Sequence, residues 1–427
     1  MKVLMITTGS RGDVQPFIAL AKALEKHGHS TILAASASSQ PLSREHGLSI
    51  HPLDDGIMNI ITERKAPPFE NNILAKARAS VRLIQYYSRQ VSQVLEGIEN
   101  AAEPGIDAVV YRADTPGGFD IAEWLGIRPI QVCICPTRVP TRSFPDPLFP
   151  YRIPKRFNRL SYTLSHMTSS RILFEILNRR AVSKWRRKRL SFPRRPFHGS
   201  HSSRTAGTRI TTLQALSSCI MPPPRDYPPW VHATGFWVAG VPSSWQPSEE
   251  LLDFLANGED APIYIGFGSM VGTDPEGTTR AILKAIGTLN IRAILTVGWG
   301  GIRRTEQTDN RILFVDDVPL EWLFPRVRLA AHHGGVGTVS AALRAGIPQV
   351  VMPFIEDQFF YARRLHDLGV APDPLPQHAL TPQKLAKVVR EALEDNSIFM
   401  HAERLRRHVQ AEEGADGAVR IIESIIN

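Results

Sequence analysis

The chain opens on an unbroken apolar run, Val3-Leu4-Met5-Ile6, which stops at Thr7-Thr8-Gly9. Such a run suits a parallel strand buried on both faces. It is shorter than a signal-peptide core and no small-residue cleavage site follows, so a buried first strand is expected. From about Val14 to Lys26 the spacing turns helical. Phe17, Leu20, Ala21 and Leu24 form one stripe, Pro16 falls in the first turn, and His27-Gly28 closes the segment. Thr31-Ile32-Leu33-Ala34 reads as a second strand and completes a βαβ unit.

The alternation continues. An amphipathic helix is expected over Lys76 to Ile98, a strand over Asp107 to Tyr111, a helix over Phe119 to Trp124 and a strand over Ile130 to Ile134. Asn158 to Lys188 reads as helical with a basic face, and Arg194 to Arg209, rich in Ser, Gly and Arg, as a mobile loop. Prolines then crowd Pro222 to Pro247, as in a stiff interdomain connection. Beyond them the strand–helix rhythm restarts, with strands expected over Ile263–Phe267, Ala293–Val297, Arg311–Val315, Leu329–Ala331 and Gln349–Met352. The fold class is therefore α/β, two Rossmann-like domains in sequence. Such a pair predicts a ligand in the cleft between them, near the C-terminal strand ends.

Composition changes this picture little. With 427 residues, 43% hydrophobic and 21% charged, the chain is globular and long enough for two domains of about 200 residues each. No run approaches the ~18 apolar residues of a membrane span. Three cysteines, Cys133, Cys135 and Cys219, make no metal-ligand spacing and suit a reducing cytoplasm. Charge says more. The net charge is +9, yet Tyr151 to Arg209 holds 16 Lys/Arg and the single acid Glu175, leaving the remainder near −6. This basic segment is either a solvated surface or a peripheral contact with anionic lipid. No nucleic-acid module surrounds it.

Two loops carry candidate chemistry. His332-His333-Gly334-Gly335-Val336-Gly337-Thr338 follows a strand and opens a helix, so its glycines and free N–H groups form a ready phosphate site, with an imidazole beside it. The same residues also suit a tight glycine turn with a satisfied histidine. It is not a Walker loop, since no Gly-Lys-Ser/Thr follows. The first loop, Gly9-Ser10-Arg11-Gly12, lacks the dinucleotide fingerprint, and no acid ends the second strand, which disfavours an oxidoreductase. Downstream, Asp357-Gln358 ends a strand as an acid–amide pair able to hold sugar hydroxyls.

In order, Gly268-Ser269, Gly298-Trp299-Gly300-Gly301, Asp317-Val318-Pro319, the His332–Thr338 loop and Pro353-Phe354-Ile355-Glu356-Asp357-Gln358 resemble the donor half of the family 1 glycosyltransferases. The sterol 3-β-glucosyltransferases are the branch most resembled, with the glycopeptide-antibiotic glycosyltransferases as cousins. Gly9 to Pro16, Trp124 to Ile127, Pro136 to Arg138, Asn158 to Tyr162 and Trp230 to Trp237 extend the resemblance over nearly the whole chain. It implies a GT-B fold: an acceptor domain over 1–225 with the basic helical insert 151–209, a connector 226–247, a nucleotide-sugar domain 248–408, and a helix 409–427 that returns to the first domain.

The resemblance also implies roles. Asp13 would be the catalytic base, although it equally suits a cap for the helix after it. A carboxylate is a weak base for an alcohol, so its proton transfer would come late. Ser10, Arg11 and Gly12 would position the donor or the aspartate, with Asp114 and Asp120 as weaker partners. Ser269, His332, Gly334, Gly335, Gly337 and Thr338 would hold the diphosphate without a metal. Val318 would meet the nucleotide base through its backbone, Trp299 would pack near the nucleotide, and Asp357 and Gln358 would bind the sugar. Glu356 stands where relatives often carry a small residue. The expected function is inverting transfer of glucose from UDP-glucose to a lipophilic, sterol-like hydroxyl, in the cytoplasm or at its membranes. A secondary-metabolite transferase using a deoxysugar donor is the alternative, and a non-catalytic relative is disfavoured because Asp13, His332 and Asp357-Gln358 are all present.

Overall fold

The structure is a computed structural model. It describes residues 1–56, 73–149, 153–166, 169–192, 204–205, 208–298, 301–305, 309–355 and 357–426. These form two compact units. The first comprises Met1–Leu216, Pro223–Ala239 and Glu413–Asn427; the second comprises Ser217–Pro222 and Gly240–Glu412.

The first unit is built on β1 (Lys2–Thr7), α1 (Arg11–Lys26), β2 (Ser30–Ser36), α2 (Gln40–Glu45), β3 (Ile50–Leu53), α3 (Ile73–Ala101), β4 (Ala108–Arg112), α4 (Gly118–Leu125) and β5 (Pro129–Cys133). Helices α5 (Asn158–His166) and α6 (Ser169–Lys188) follow, then a short antiparallel ribbon of β6 (Arg204–Thr205) and β7 (Thr208–Arg209). Strands β8 (Thr211–Gln214) and β9 (Val231–Ala233) complete a seven-stranded parallel sheet in the order β3-β2-β1-β4-β5-β8-β9. Along β1, Val3 and Met5 enter one core while Leu4 and Ile6 enter the other. That alternation explains the unbroken apolar run, since both faces of the strand are covered.

Three expectations change here. Helix α1 begins at Arg11, not Val14, which places Pro16 inside the helix instead of in its first turn. The expected C-terminal end is present: Gly28 has φ +81°, Gly28 N–H donates to the Glu25 carbonyl, and His29 N–H donates to the Leu24 carbonyl. The proline-rich stretch is no free connector, because Pro223–Ala239 belongs to the first unit and β9 extends its sheet. Within the stretch expected as a loop, the described residues form the β6–β7 ribbon; 193–203 and 206–207 lie outside the described residues.

The second unit contains α7 (Glu249–Ala256), β10 (Ile263–Gly266), α8 (Pro275–Leu289), β11 (Ala293–Thr296), β12 (Ile312–Val315), α9 (Leu320–Leu323), β13 (Ala330–His332), α10 (Val336–Ala345), β14 (Gln349–Val351), α11 (Gln358–Asp367), α12 (Pro382–Glu394) and α13 (Asn396–Gln410). Its parallel sheet runs β12-β11-β10-β13-β14. Helix α14 (Gly414–Ile426) belongs to the first unit, where Ala418, Val419 and Ile422 are buried in the core that holds Phe17 and Leu24. Lys26 and His27 at the end of α1 pair with Asp416 at 3.3 and 3.2 Å. No described helix is long and apolar enough to cross a membrane.

Candidate functional site

In each sheet the strand order reverses beside the first strand, between β1 and β4 and between β10 and β13. Loops leaving neighbouring strands diverge at such a point and leave a crevice at the carboxyl ends. Each unit carries its candidate residues there.

In the first unit, Ser10 is the N-cap of α1 and Asp13 sits three residues on, completing a capping box. Ser10 donates to Oδ2 of Asp13 through its backbone N–H at 2.7 Å and its hydroxyl at 3.1 Å. Gly9, at φ +134°, has no room for a side chain because a Cβ there would strike the Asp13 carboxylate. The other oxygen, Oδ1, lies 3.0 Å from the Arg112 guanidinium at the end of β4. Arg112 also lies 3.4 Å from Asp114, and Asp114 pairs in turn with Arg138. Asp13 is thus both a helix-capping group and part of a chain of alternating charges, with its side chain 18% exposed. Arg11 and Gly12 stand half-buried in the first turn. Asp120 is buried against Arg186 at 2.6 Å and ties α4 to α6. Arg112 was missed from sequence; its signal is a cation ending a wholly apolar strand two residues before an aspartate.

In the second unit four loops converge. A Cβ on Gly298 would meet the Gly268 carbonyl at 2.7 Å, one on Gly268 would meet the His333 ring at 3.2 Å, and one on Gly334 would meet the Gln358 carbonyl at 3.1 Å. Ser269 follows Gly268 half-buried. The role expected of His332 is corrected. Its side chain is fully buried. Its Nδ1 accepts from the Gly334 N–H at 3.0 Å, so the proton sits on Nε2, which donates to Gln349 at 2.9 Å. With both nitrogens occupied, His332 holds the loop from beneath and has nothing left for a diphosphate. His333 stands half-buried above it: its ring lies between Gly268 and Gly335, and among the described residues its buried Nδ1 has no hydrogen-bond partner. Burial, and then the neighbouring His332, push His333 down to about 3. Burial likewise lowers His332 to about 4, against its bond to Gln349. Both rings are therefore neutral near pH 7, so what His333 offers is a hydrogen-bonding imidazole and not a cation.

Gly335 caps α10, whose first turn of Val336, Gly337 and Thr338 has no acidic residue. Its N-cap residue makes no side-chain cap hydrogen bond, so the N–H groups and partial positive charge of this helix end are not met by its own first turn. The acid–amide pair is also modified: Oε1 of Gln358 accepts from the N–H groups of Phe354 at 2.8 Å and Ile355 at 3.3 Å, leaving only its amide nitrogen for a sugar. Asp357 is the half-buried N-cap of α11. Val318, three residues beyond the end of β12, is buried in the core with Leu323 and Phe324. Trp299 and Glu356 lie outside the described residues.

Two parallel α/β sheets with sites at their switch points define the GT-B architecture, and solved structures agree. The glycotransferase of kitacinnamycin superposes with a TM-score of 0.70 at 18% identity, covering 100% of this chain and 99% of that one. Residues 3–115 match the glycosyltransferase family 28 N-terminal domain, and residues 280–424 match the erythromycin biosynthesis protein CIII-like C-terminal domain. A sterol 3-beta-glucosyltransferase of Arabidopsis thaliana is 32% identical over 98% of this chain and 65% of its own length. A second from the same plant is 30% identical over 98% of this chain and 67% of its own. The chain belongs to the family 1 glycosyltransferases. It spans about two thirds of the length of these curated relatives.

Proposed function

We propose that the chain is an inverting, metal-independent glycosyltransferase that moves glucose from UDP-glucose to a hydroxyl of a lipophilic, sterol-like acceptor. The observation that carries the reading is the meeting of His333, the Gly268 loop and the open N-terminus of α10 at one switch point. The names of the plant relatives support glucose and a sterol 3-hydroxyl as first choices.

In this reading the first turn of α10, Ser269 and His333 hold the diphosphate and stabilise its growing charge, the work a metal would otherwise do. Asp357 and the amide nitrogen of Gln358 hold sugar hydroxyls, and the Val318 backbone meets the nucleotide base. Asp13 takes the acceptor proton as the new C–O bond forms at the anomeric carbon. The electron pair of the breaking anomeric bond leaves on the diphosphate, so an α-linked donor gives a β-glycoside. The enzyme works in the cytoplasm, its basic segment 151–209 in contact with membrane. The test is mass-spectrometric product analysis with UDP-glucose against a panel of sterols, triterpenes and polyketides. A β-glucosylated sterol is expected. Turnover only with TDP-deoxysugars would replace the donor, and no transfer with any pair would overturn the reading.

A further inference from the structure

We propose that the outer face of α5, with the turn before it, is a docking surface for an anionic lipid bilayer. This extends the membrane contact of the basic segment to named side chains, and it stands independently of the sugar-transfer reading.

The helix is amphipathic the wrong way round for a surface helix. Its inner face is polar and buried: Asn158, Ser161, Tyr162 and Ser165. That face is pinned by hydrogen bonds. Ser161 Oγ donates to the Asn158 carbonyl at 2.6 Å and accepts from the Asp146 N–H at 2.7 Å, and the Asn158 amide donates to the Arg142 carbonyl at 2.9 Å. Its outer face carries Leu160 and Leu164, 49% and 40% exposed, with Phe157 at 40% one turn earlier. At ~100° per residue the three fall within about 60° of helix surface. Among the described residues eleven large hydrophobic side chains are exposed, and three of them fall in these eight positions. Isolated exposed apolar residues need no explanation, but a clustered strip does.

The charge beside the strip selects the occupant. Lys155, Arg156 and Arg159 are exposed next to it, and the Arg156 guanidinium lies 4.8 Å over the Phe157 ring. The described acid that acts on this cluster is Asp226, which interacts electrostatically with Arg159 but already accepts from the Thr141 hydroxyl at 2.5 Å and the Arg142 N–H at 2.9 Å. An apolar strip bordered by cations is the arrangement that seats a helix in the headgroup layer of an anionic membrane. Each cation near such a surface strengthens association roughly fivefold, so three give on the order of a hundredfold.

Flotation of the full chain with vesicles tests this. Phosphatidylcholine vesicles are compared with phosphatidylcholine–phosphatidylglycerol vesicles, at low and high salt and without any sugar donor. The wild type should float with the anionic vesicles, and less so at high salt. The neutralisation Lys155→Gln, Arg156→Gln, Arg159→Gln should reduce binding by about two orders of magnitude, and Phe157→Ser, Leu160→Ser, Leu164→Ser should remove it even at low salt. All six positions are exposed, and an unchanged thermal midpoint reports an intact fold. Single Leu160→Ser serves if a triple variant misfolds, and should weaken binding measurably. Equal binding to neutral vesicles, no binding by the wild type, or undiminished binding by these variants would overturn the proposal. So would a concentration-dependent dimer abolished by the serine variant, which would assign the strip to a second copy. Because no transfer is measured, failure here leaves the catalytic reading untouched.

Discussion

The guanidinium of Arg112 lies 3.0 Å from Oδ1 of Asp13, while both Ser10 donors occupy Oδ2. The carboxylate is therefore fixed from two sides before any acceptor arrives. Fixing a reacting group in advance removes the entropy of aligning it later. Asp13→Asn keeps the shape of the capping box but cannot take a proton. Loss of the general base is expected to lower kcat by about 10²–10⁴. Binding of UDP, which this reading assigns to the second unit, should survive, as titration calorimetry would show. Near-normal turnover would remove Asp13 from the role of base.

Arg112 faces a second carboxylate, Asp114, at 3.4 Å. When Asp13 accepts a proton it stops neutralising Arg112, and Asp114 remains to do so. Asp114→Asn removes that support while touching neither Ser10 nor Asp13. Asp114 is half-exposed, so the effect is screened, on the order of 1 kcal/mol in the barrier or about fivefold in kcat. Steady-state kinetics should show the loss in kcat with KM for the donor little changed. A pure KM effect would place Asp114 in substrate binding.

Much of this fold was readable in advance because parallel strands covered on both faces announce themselves as unbroken apolar runs, as Val3–Ile6 and Ile263–Ile265 do. Strands β8 and β9 were not, because runs of four and three residues, the second just after Pro228-Pro229, carry no period to detect. The histidine pair shows how a small boundary error moves a function. Ending the fourth strand of the second unit at Ala331 made His332 the first loop residue. The strand runs one residue further, pairing His332 with Gly266 and Val351. Its ring is thus locked below the loop, and the position against the Gly268 loop passes to His333. The ion pair of Asp13 with Arg112 needs strand β4 beside β1, a tertiary adjacency that no local spacing encodes.

The two histidines should separate cleanly under substitution. His332→Ala leaves the Gly334 N–H and the Gln349 side chain without their partner and opens a buried void. A loss of about 2–5 kcal/mol in urea unfolding is expected. His333→Ala should change stability by less than about 1 kcal/mol. It should instead weaken UDP binding about tenfold, the worth of one hydrogen bond to a charged group. Equal destabilisation by both, with UDP affinity unchanged in the His333 variant, would return the diphosphate to other groups.

The buried His332 also makes stability depend on pH in a defined window. Unfolded, the imidazole titrates near 6.5; burial lowers it to about 4 in the folded chain. Between those values the unfolded state binds the extra proton, so acid favours unfolding. The stability present above about pH 6.5 should fall as pH drops and level off below about pH 4, at about 1.4 kcal/mol per pH unit for one such group. His46 acts in the same direction, lowered to about 4 by burial and then by Lys22 and Arg11. Carboxylates held low by arginine partners, such as Glu403 at about 2, lose their contribution only at more acid pH. Urea midpoints measured from neutral pH down through this window should therefore decline well before the carboxylates titrate. His332→Gln, which removes the titrating ring, should flatten the slope by about 1.4 kcal/mol per unit even though its absolute stability is lower. A slope identical to wild type would show that His332 is not the group being protonated.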